Sequence, residues 1–156
     1  MKLHPYTLKI EWTGNNGNGT EKYDSYRRDY TILFENKPAL YASADSIFRG
    51  DASKLNPEEM LLSAVSSCHM LWFLHECADH GVNVVEYYDN PEALLEIIPG
   101  QGGSFKSAVL NPRVTILPMD KEIDLNELHK IASQKCFIAN SCNFPIKISA
   151  KHKIIK

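Results

Sequence analysis

The sequence has no excess of basic residues: 17 Lys and Arg stand against 19 Asp and Glu, for a formal net charge of −2. Proteins that bind nucleic acid or anionic membranes usually carry a basic surface, so neither partner is expected. The N-terminal stretch MKLHPYTLKIEW contains no long apolar run, so we expect neither a signal peptide nor a membrane anchor. A cytoplasmic protein is the expectation. No repeat, linker or low-complexity tract interrupts the 156 residues, which indicates a single domain over residues 1–156.

Cysteine is scarce, with four in the chain, and a disulfide framework of the kind found in small secreted proteins is not expected. The spacings CxxC and HxxxH are both missing. Two cysteines and two histidines crowd one predicted helix, but Cys68 and His75 lie two turns apart, roughly 10 Å. This spacing is poor for zinc, so no metal and no cofactor are expected. The cysteines remain either inert core thiols or redox groups.

The first third of the sequence has the alternation typical of β-strands. Apolar and polar residues alternate from Tyr6 to Trp12, which predicts a strand with one buried face. GNNGNG (14–19) predicts a loop. Further strands are predicted in DYTILFEN (29–36) and ALYAS (39–43), with a turn between them.

A long helix is predicted next. Asn56 suits the N-cap, Pro57 the first helical position and Glu59 the capping box, while Gly81 is a plausible stop. Apolar residues occur on all sides from Met60 to Leu74, which predicts a helix buried all round.

The rest of the chain repeats the pattern of strands followed by a helix. Asp124 is predicted to cap a second helix with Glu127 completing the box, and Pro112 marks an edge or bulge. Strands are predicted in VNVVEYY (82–88), ALLEII (93–98), SFKSAVLNPRVTIL (104–117) and the closing stretch IKISAKHKII (146–155). The second helix has an apolar side containing Leu125, Leu128, Ile131, Ala132 and Cys136. The order indicates an α+β fold with antiparallel sheets packed around a long central helix.

Two stretches resemble the OsmC/Ohr family, the osmotically inducible and organic-hydroperoxide-resistance proteins. NPEEMLLSAVSSC (56–68) resembles the family's Asn-Pro-Glu-Glu/Gln helix start, with Cys68 ten residues after Glu58. CFIANS (136–141) resembles a second motif, a cysteine in a Cys-Pro-x-Ser-Asn context, although Phe137 replaces the proline. FRGD (48–51) and CHMLWFLH (68–75) place the chain nearer the OsmC-like branch.

The resemblance implies an intertwined homodimer and a cysteine-based peroxidase acting on hydroperoxides, often organic ones. In this reading Cys68 is the residue oxidised by peroxide and Cys136 resolves it to a disulfide, which an external dithiol reduces. Cys77 and Cys142 lie outside the motifs and are read as spectators, with Cys142 the possible substitute for Cys136.

A buried thiolate needs a cation nearby. The resemblance implies Arg49, held by Glu58, with Arg28 or Arg27 as the alternative used by Ohr-type members. On one straight helix ten residues span about 15 Å, too far for Glu58 and Cys68 to share one arginine easily. Three explanations stay open: the helix breaks near SAVSS (63–67), the partners come from different subunits, or Glu58 only stabilises its helix end.

The competing class is a stress-associated or small-ligand-binding protein that keeps the fold without efficient peroxidase turnover. His69, Trp72 and Phe73 would then line a pocket for an apolar ligand. The alternative for these three residues is ordinary core packing.

Overall fold

The computed structural model of the protein describes residues 2–155. These residues divide into two compact units on either side of the Met60–Leu61 peptide bond. Three three-stranded sheets and two principal helices give the α+β class that the sequence predicts. The single domain expected over residues 1–156 stays a prediction.

The N-terminal unit is built on an antiparallel sheet with the strand order β1-β2-β3. Its strands are β1 (Lys9–Trp12), β2 (Tyr30–Phe34) and β3 (Lys37–Ala42). The predicted loop at 14–19 and the predicted strands β2 and β3 are confirmed. Asn36 forms the tight β2–β3 turn with a φ of 59°, a conformation that asparagine tolerates better than most residues.

Strand β1 departs from the prediction of one buried face. It is shorter than the alternating run from Tyr6 to Trp12, and all four of its residues are exposed. Ile10 keeps 61% of its accessible surface and Trp12 keeps 44%. β1 is an edge strand, and no element among residues 2–155 covers its apolar face. The alternation therefore indicates the strand correctly, whereas the predicted burial is wrong for the single chain.

Helix α1 (Pro57–Asp79) has the predicted start and stop. The Asn56 side-chain oxygen accepts from the Glu59 N–H at 2.8 Å, and the Glu59 carboxylate accepts from the Asn56 N–H at 3.2 Å. This reciprocal pair is a capping box. Gly81 follows the helix with a φ of 75°, which glycine adopts without strain.

The buried surface of α1 is a stripe, so the prediction of burial all round is wrong for the single chain. The stripe consists of Val65, His69, Phe73, Glu76 and Cys77, whose spacing of three to four residues defines one helix face. Leu71, on another side, keeps 62% of its accessible surface. No helix of the described residues is long and apolar enough to cross a membrane.

The C-terminal unit contains two three-stranded sheets of mixed direction, β4-β7-β9 and β5-β6-β8. The strands are β4 (Val84–Tyr88), β5 (Glu92–Ile98), β6 (Gly102–Leu110), β7 (Arg113–Ile116), β8 (Ile146–Ile148) and β9 (Lys151–Ile154). The helices after β7 are α2 (Leu125–Lys135) and the short α3 (Phe137–Asn140).

The chain changes sheets at Pro112, between β6 and β7. This confirms that the apolar run 104–117 is interrupted there, because proline cannot donate to a strand ladder. The closing stretch is likewise two strands, β8 parallel to β6 and β9 parallel to β7, and not the single strand predicted. Backbone hydrogen bonds link the two places where the chain changes sheets. The Ser149 N–H donates to the Leu110 carbonyl, and the Lys151 N–H donates to the Pro112 carbonyl.

Helix α2 packs into the main core of the C-terminal unit. Asp124 caps the helix as predicted, accepting from the Asn126 N–H at 2.9 Å. Glu127 does not complete a capping box, because its carboxylate pairs with Lys130 at 3.3 Å. The core joins α1, α2 and β7 through Phe73, Cys77, Val82, Val114, Ile116, Leu125, Leu128 and Ala132.

Candidate functional site

The structure brings together the two cysteines that the sequence singles out. Cys68 on α1 is partly exposed, whereas Cys136 is completely buried. The two side chains share a hydrogen bond, and all four cysteines are free thiols.

Cys136 lies one residue beyond the helix in which the sequence places it. Its backbone is extended, with φ −68° and ψ 106°, so it ends α2 and caps α3. Its sulfur accepts from the Ala139 N–H at 3.4 Å. Burial raises the pKa of the Cys136 thiol to about 11, and the hydrogen bond to Cys68 adds to this shift. Cys136 is therefore a neutral thiol near pH 7.

The other two cysteines lie in different surroundings. Cys77 is buried in the core, and burial, aided by the charge of Glu76, raises its pKa to about 12. Cys142 is partly exposed and donates its thiol hydrogen to the Ile138 carbonyl at 3.3 Å. Burial raises the pKa of Cys142 as well. The cysteine that interacts with Cys68 is Cys136.

Three histidine rings stack on one another in the C-terminal unit. The His69 Nε2 atom lies 2.9 Å from His129 Nδ1, and both residues are buried. The His129 ring stacks on Phe73 at 3.7 Å and lies 5.3 Å from the His152 ring. Burial lowers the pKa of His69 to about 4 and that of His129 to about 3. Both rings are therefore neutral near pH 7.

Sequence reasoning missed His129, although a signal for it exists. His129 is four residues after Leu125 and three before Ala132, both of which are buried on the same face of α2. The helical spacing alone places His129 in the core. Among residues 2–155, no group of three or more His, Cys, Asp or Glu is arranged to hold a metal ion.

The residues suggested as a ligand pocket take part in packing. Phe73 has no accessible surface, His69 has 1%, and Trp72 is partly buried against the core. These contacts favour the packing interpretation of the three residues over a ligand pocket.

The three candidate arginines belong to the N-terminal unit and have different environments. The Arg27 Nε atom lies 3.3 Å from the Asp29 carboxylate. The Arg28 guanidinium donates to the Tyr23 and Tyr26 carbonyls at 2.6 Å and lies against both tyrosine rings. Arg49 is exposed, with a left-handed backbone of φ 65°. Its guanidinium lies 6.0 Å from the Tyr23 ring and makes no hydrogen bond or ion pair within residues 2–155.

Glu58 lies in the first turn of α1, where Asn56 and Glu59 make the capping hydrogen bonds. Its Oε2 atom is buried and has no hydrogen-bond partner within the described residues. Tyr30 is nearby: burial raises its pKa, and the charge of Glu58 raises it further. Helix α1 is unbroken from Pro57 to Asp79, so the explanation that it breaks near residues 63–67 is wrong.

The chain belongs to the OsmC-like protein family, whose sequence model matches residues 50–151. The matched range contains both paired cysteines. No protein with curated annotation matches the sequence.

Solved structures support the family assignment at the level of the fold. An OsmC-like protein of unknown function from Vibrio cholerae is 28% identical with a TM-score of 0.82, covering 98% of this chain and 100% of its own. An organic hydroperoxide resistance protein from Elizabethkingia anophelis is 15% identical with a TM-score of 0.65, covering 99% and 100%. Its counterpart from Bacillus subtilis is 17% identical with a TM-score of 0.57, covering 94% and 98%.

Proposed function

We propose that the protein is a thiol peroxidase that reduces organic hydroperoxides through a cycle of Cys68 and Cys136. The observation that carries the proposal is the hydrogen bond between a partly exposed thiol, Cys68, and a buried thiol, Cys136. Peroxide needs access to the first sulfur, whereas the second must be held close to it. Membership of the OsmC-like family and the likeness to organic hydroperoxide resistance proteins support the same reaction class.

The first step is a displacement at the peroxide O–O bond. The Cys68 thiolate attacks one oxygen, the O–O bond breaks, and the second oxygen leaves with a proton as the alcohol. Cys68 becomes a sulfenic acid, and the hydroperoxide is reduced by two electrons.

The second step uses Cys136. Its sulfur attacks the sulfenic sulfur, and the sulfenic oxygen leaves as water with the thiol proton, which yields the Cys68–Cys136 disulfide. An external dithiol then restores both thiols by two exchange reactions and is itself oxidised to a disulfide. The high pKa of Cys136 protects it from direct reaction with peroxide, because the thiolate is the reactive form.

Arg49 is our candidate for the cation that activates Cys68, with Glu58 as its carboxylate partner. Because α1 is unbroken, Glu58 and Cys68 of one chain lie about 15 Å apart, so in this proposal the arginine meets the Glu58 and the Cys68 of different subunits. Within the described residues, the Arg49 guanidinium makes no hydrogen bond or ion pair, and the buried Oε2 atom of Glu58 has no hydrogen-bond partner. Both observations support these roles. Arg28 already satisfies two carbonyls and is a poorer candidate.

The homodimer is also part of the proposal. Apolar side chains remain exposed in both units, including Ile10 at 61%, Leu71 at 62% and Leu94 at 62%. A second copy of the chain would cover such surface, and exposed apolar patches commonly mark subunit interfaces.

Stopped-flow mixing of the reduced protein with tert-butyl hydroperoxide or hydrogen peroxide, with a dithiol present, tests the reaction. We expect dithiol-dependent consumption of both, with the larger second-order rate constant for the organic peroxide. If the protein consumes neither peroxide, the result would contradict the proposal and favour the ligand-binding alternative.

A further inference from the structure

The residues on both sides of Cys136 are anchored to helix α1. Before it, the Lys135 ammonium lies 2.6 Å from the Glu76 carboxylate. After it, the Phe137 ring meets the Trp72 ring edge to face, with centroids 5.6 Å apart. Trp72 also lies 5.6 Å from the Lys135 ammonium, so one indole contacts both neighbours of Cys136.

The ion pair is the stronger of the two anchors. The Glu76 side chain is only 4% exposed, so its carboxylate would lack compensation if Lys135 moved away. Removing one partner of a buried ion pair is strongly destabilising because it leaves the other charge uncompensated. Lys135 is the last residue of α2, where the helix dipole also favours a cation.

Cys136 itself has an extended backbone between two helices. Its N–H donates to the Ser133 carbonyl at 3.4 Å and its carbonyl accepts from the Asn140 N–H at 3.0 Å, so these bonds tie it to α2 and α3, whereas the two anchors tie its neighbours to α1. Phe137 stands where the related motif has proline, whose ring restricts the backbone. In this chain the aromatic contact with Trp72 supplies a restraint through the side chain.

We propose that the Glu76–Lys135 ion pair and the Trp72–Phe137 contact form a clamp that positions the Cys136 sulfur against Cys68. This inference rests on the proposed function, because it assigns the clamp to formation of the Cys68–Cys136 disulfide. Glu76, Lys135, Trp72 and Phe137 are positioning residues, since they act through the place they give to Cys136. Loss of the clamp lowers the effective concentration of one thiol at the other, which destabilises the disulfide relative to the dithiol.

The test is a redox titration of the full chain in glutathione buffers, with the Cys68–Cys136 disulfide quantified by mass spectrometry. In this exchange, two glutathione thiols reduce the protein disulfide and become one glutathione disulfide. We expect Lys135→Met to lower the equilibrium constant for disulfide formation about tenfold, which corresponds to a potential about 30 mV less negative. Glu76→Gln should shift the potential in the same direction.

The common direction of these two shifts separates a clamp from a simple charge effect. Lys135→Met removes a cation near Cys136 and Glu76→Gln removes an anion, so a through-space effect would shift the potential in opposite directions. Lys135→Arg should restore most of the wild-type potential because it keeps the pair. The matched control is Lys130→Met, which breaks the exposed Lys130–Glu127 pair on the same helix and should leave the potential unchanged.

Each outcome has a defined consequence. Shifts of the same sign in both clamp variants, with the control unchanged, support the clamp. Unchanged potentials, or shifts of opposite sign, overturn the clamp and leave the peroxidase proposal intact. A wild-type chain that forms no Cys68–Cys136 disulfide, with glutathione or with peroxide, overturns the two-cysteine cycle and the clamp with it.

Discussion

At the scale of single residues, Cys68 and Cys77 lie on the same helix in contrasting surroundings. Cys68 is partly exposed and hydrogen-bonded to a second thiol, whereas Cys77 is buried in the core with its pKa raised to about 12. Because peroxide must reach the sulfur that attacks it, Cys68 has the access that Cys77 lacks. Two thiols of one helix are therefore expected to differ completely in reactivity.

Replacement of each cysteine by serine checks this difference. Cys68→Ser should abolish dithiol-dependent peroxide turnover, because serine cannot form a sulfenic acid. Cys77→Ser should keep turnover within about twofold, at a stability cost of about 1 kcal/mol for placing a hydroxyl in an apolar site. The measurements are steady-state peroxide consumption and denaturant unfolding. Full activity in Cys68→Ser would contradict the mechanism.

Replacement of Arg49 and of Arg28 by alanine is expected to change different properties, the rate of peroxide attack for Arg49 and the stability of the fold for Arg28. Arg49→Ala should slow peroxide attack at least tenfold, because it removes the proposed cation, and should leave stability within about 0.5 kcal/mol, because Arg49 is exposed. Arg28→Ala should instead destabilise the fold by about 1–2 kcal/mol, through two lost hydrogen bonds and two lost ring contacts. Single-turnover rates and unfolding curves distinguish them. Slower attack in Arg28→Ala with normal attack in Arg49→Ala would exchange their roles.

At the scale of secondary-structure elements, the buried His69–His129 pair joins α1 to α2. Both pKa values are lowered below the usual 6.5, by burial first and for His129 also by the charges of His69 and His152. Asp89 acts the other way on His69, and Asp124 on His152. The folded protein therefore binds these protons less readily than the unfolded chain does.

This difference makes stability depend on pH in a defined window. Below about pH 6.5 the unfolded chain binds more protons at these histidines than the folded protein does. Their contribution to the free energy of unfolding is therefore fully present above that pH and is lost as the pH falls toward 4. Each histidine should cost about 2 kcal/mol between pH 7 and pH 5. His129→Gln should make the fall smaller by about that amount in urea unfolding. The exposed His75, in His75→Gln, is the control, and an equal fall in all three proteins would contradict the assignment.

Local signals explain which elements were predictable from the sequence. The ends of α1 follow from Asn56, Glu59 and Gly81, because a capping box and a left-handed glycine act over a few residues. The split of the closing stretch into β8 and β9 was not predictable, because it depends on parallel pairing with strands far away in sequence. The same holds for the exposure of β1, which depends on what covers an edge strand.

The candidate site was predictable to a similar extent. Family motifs singled out Cys68 and Cys136 as candidates, but the exact end of α2 and the proposed clamp residues around Cys136 depend on contacts with Glu76 and Trp72. Such contacts between two helices leave no local pattern in a single sequence.

At the scale of the whole molecule, the exposed apolar surface predicts a homodimer. Sedimentation at micromolar concentration should give about twice the chain mass of 17.6 kDa. Ile10→Lys should weaken association, because it places a charge on the apolar face of β1. Glu11→Lys, on the other face of the same strand, is the control for the added charge. A folded wild-type monomer at this concentration would contradict the prediction.

The two-cysteine cycle is tested most directly by peptide mapping after one equivalent of organic hydroperoxide is added to the fully reduced protein. We expect one new disulfide, joining Cys68 to Cys136, with Cys77 and Cys142 still reduced. In Cys136→Ser the same treatment should leave Cys68 as a trappable sulfenic acid that over-oxidises with excess peroxide. A disulfide from Cys68 to Cys142 would contradict the role of Cys136, and an unmodified Cys68 would contradict the account as a whole.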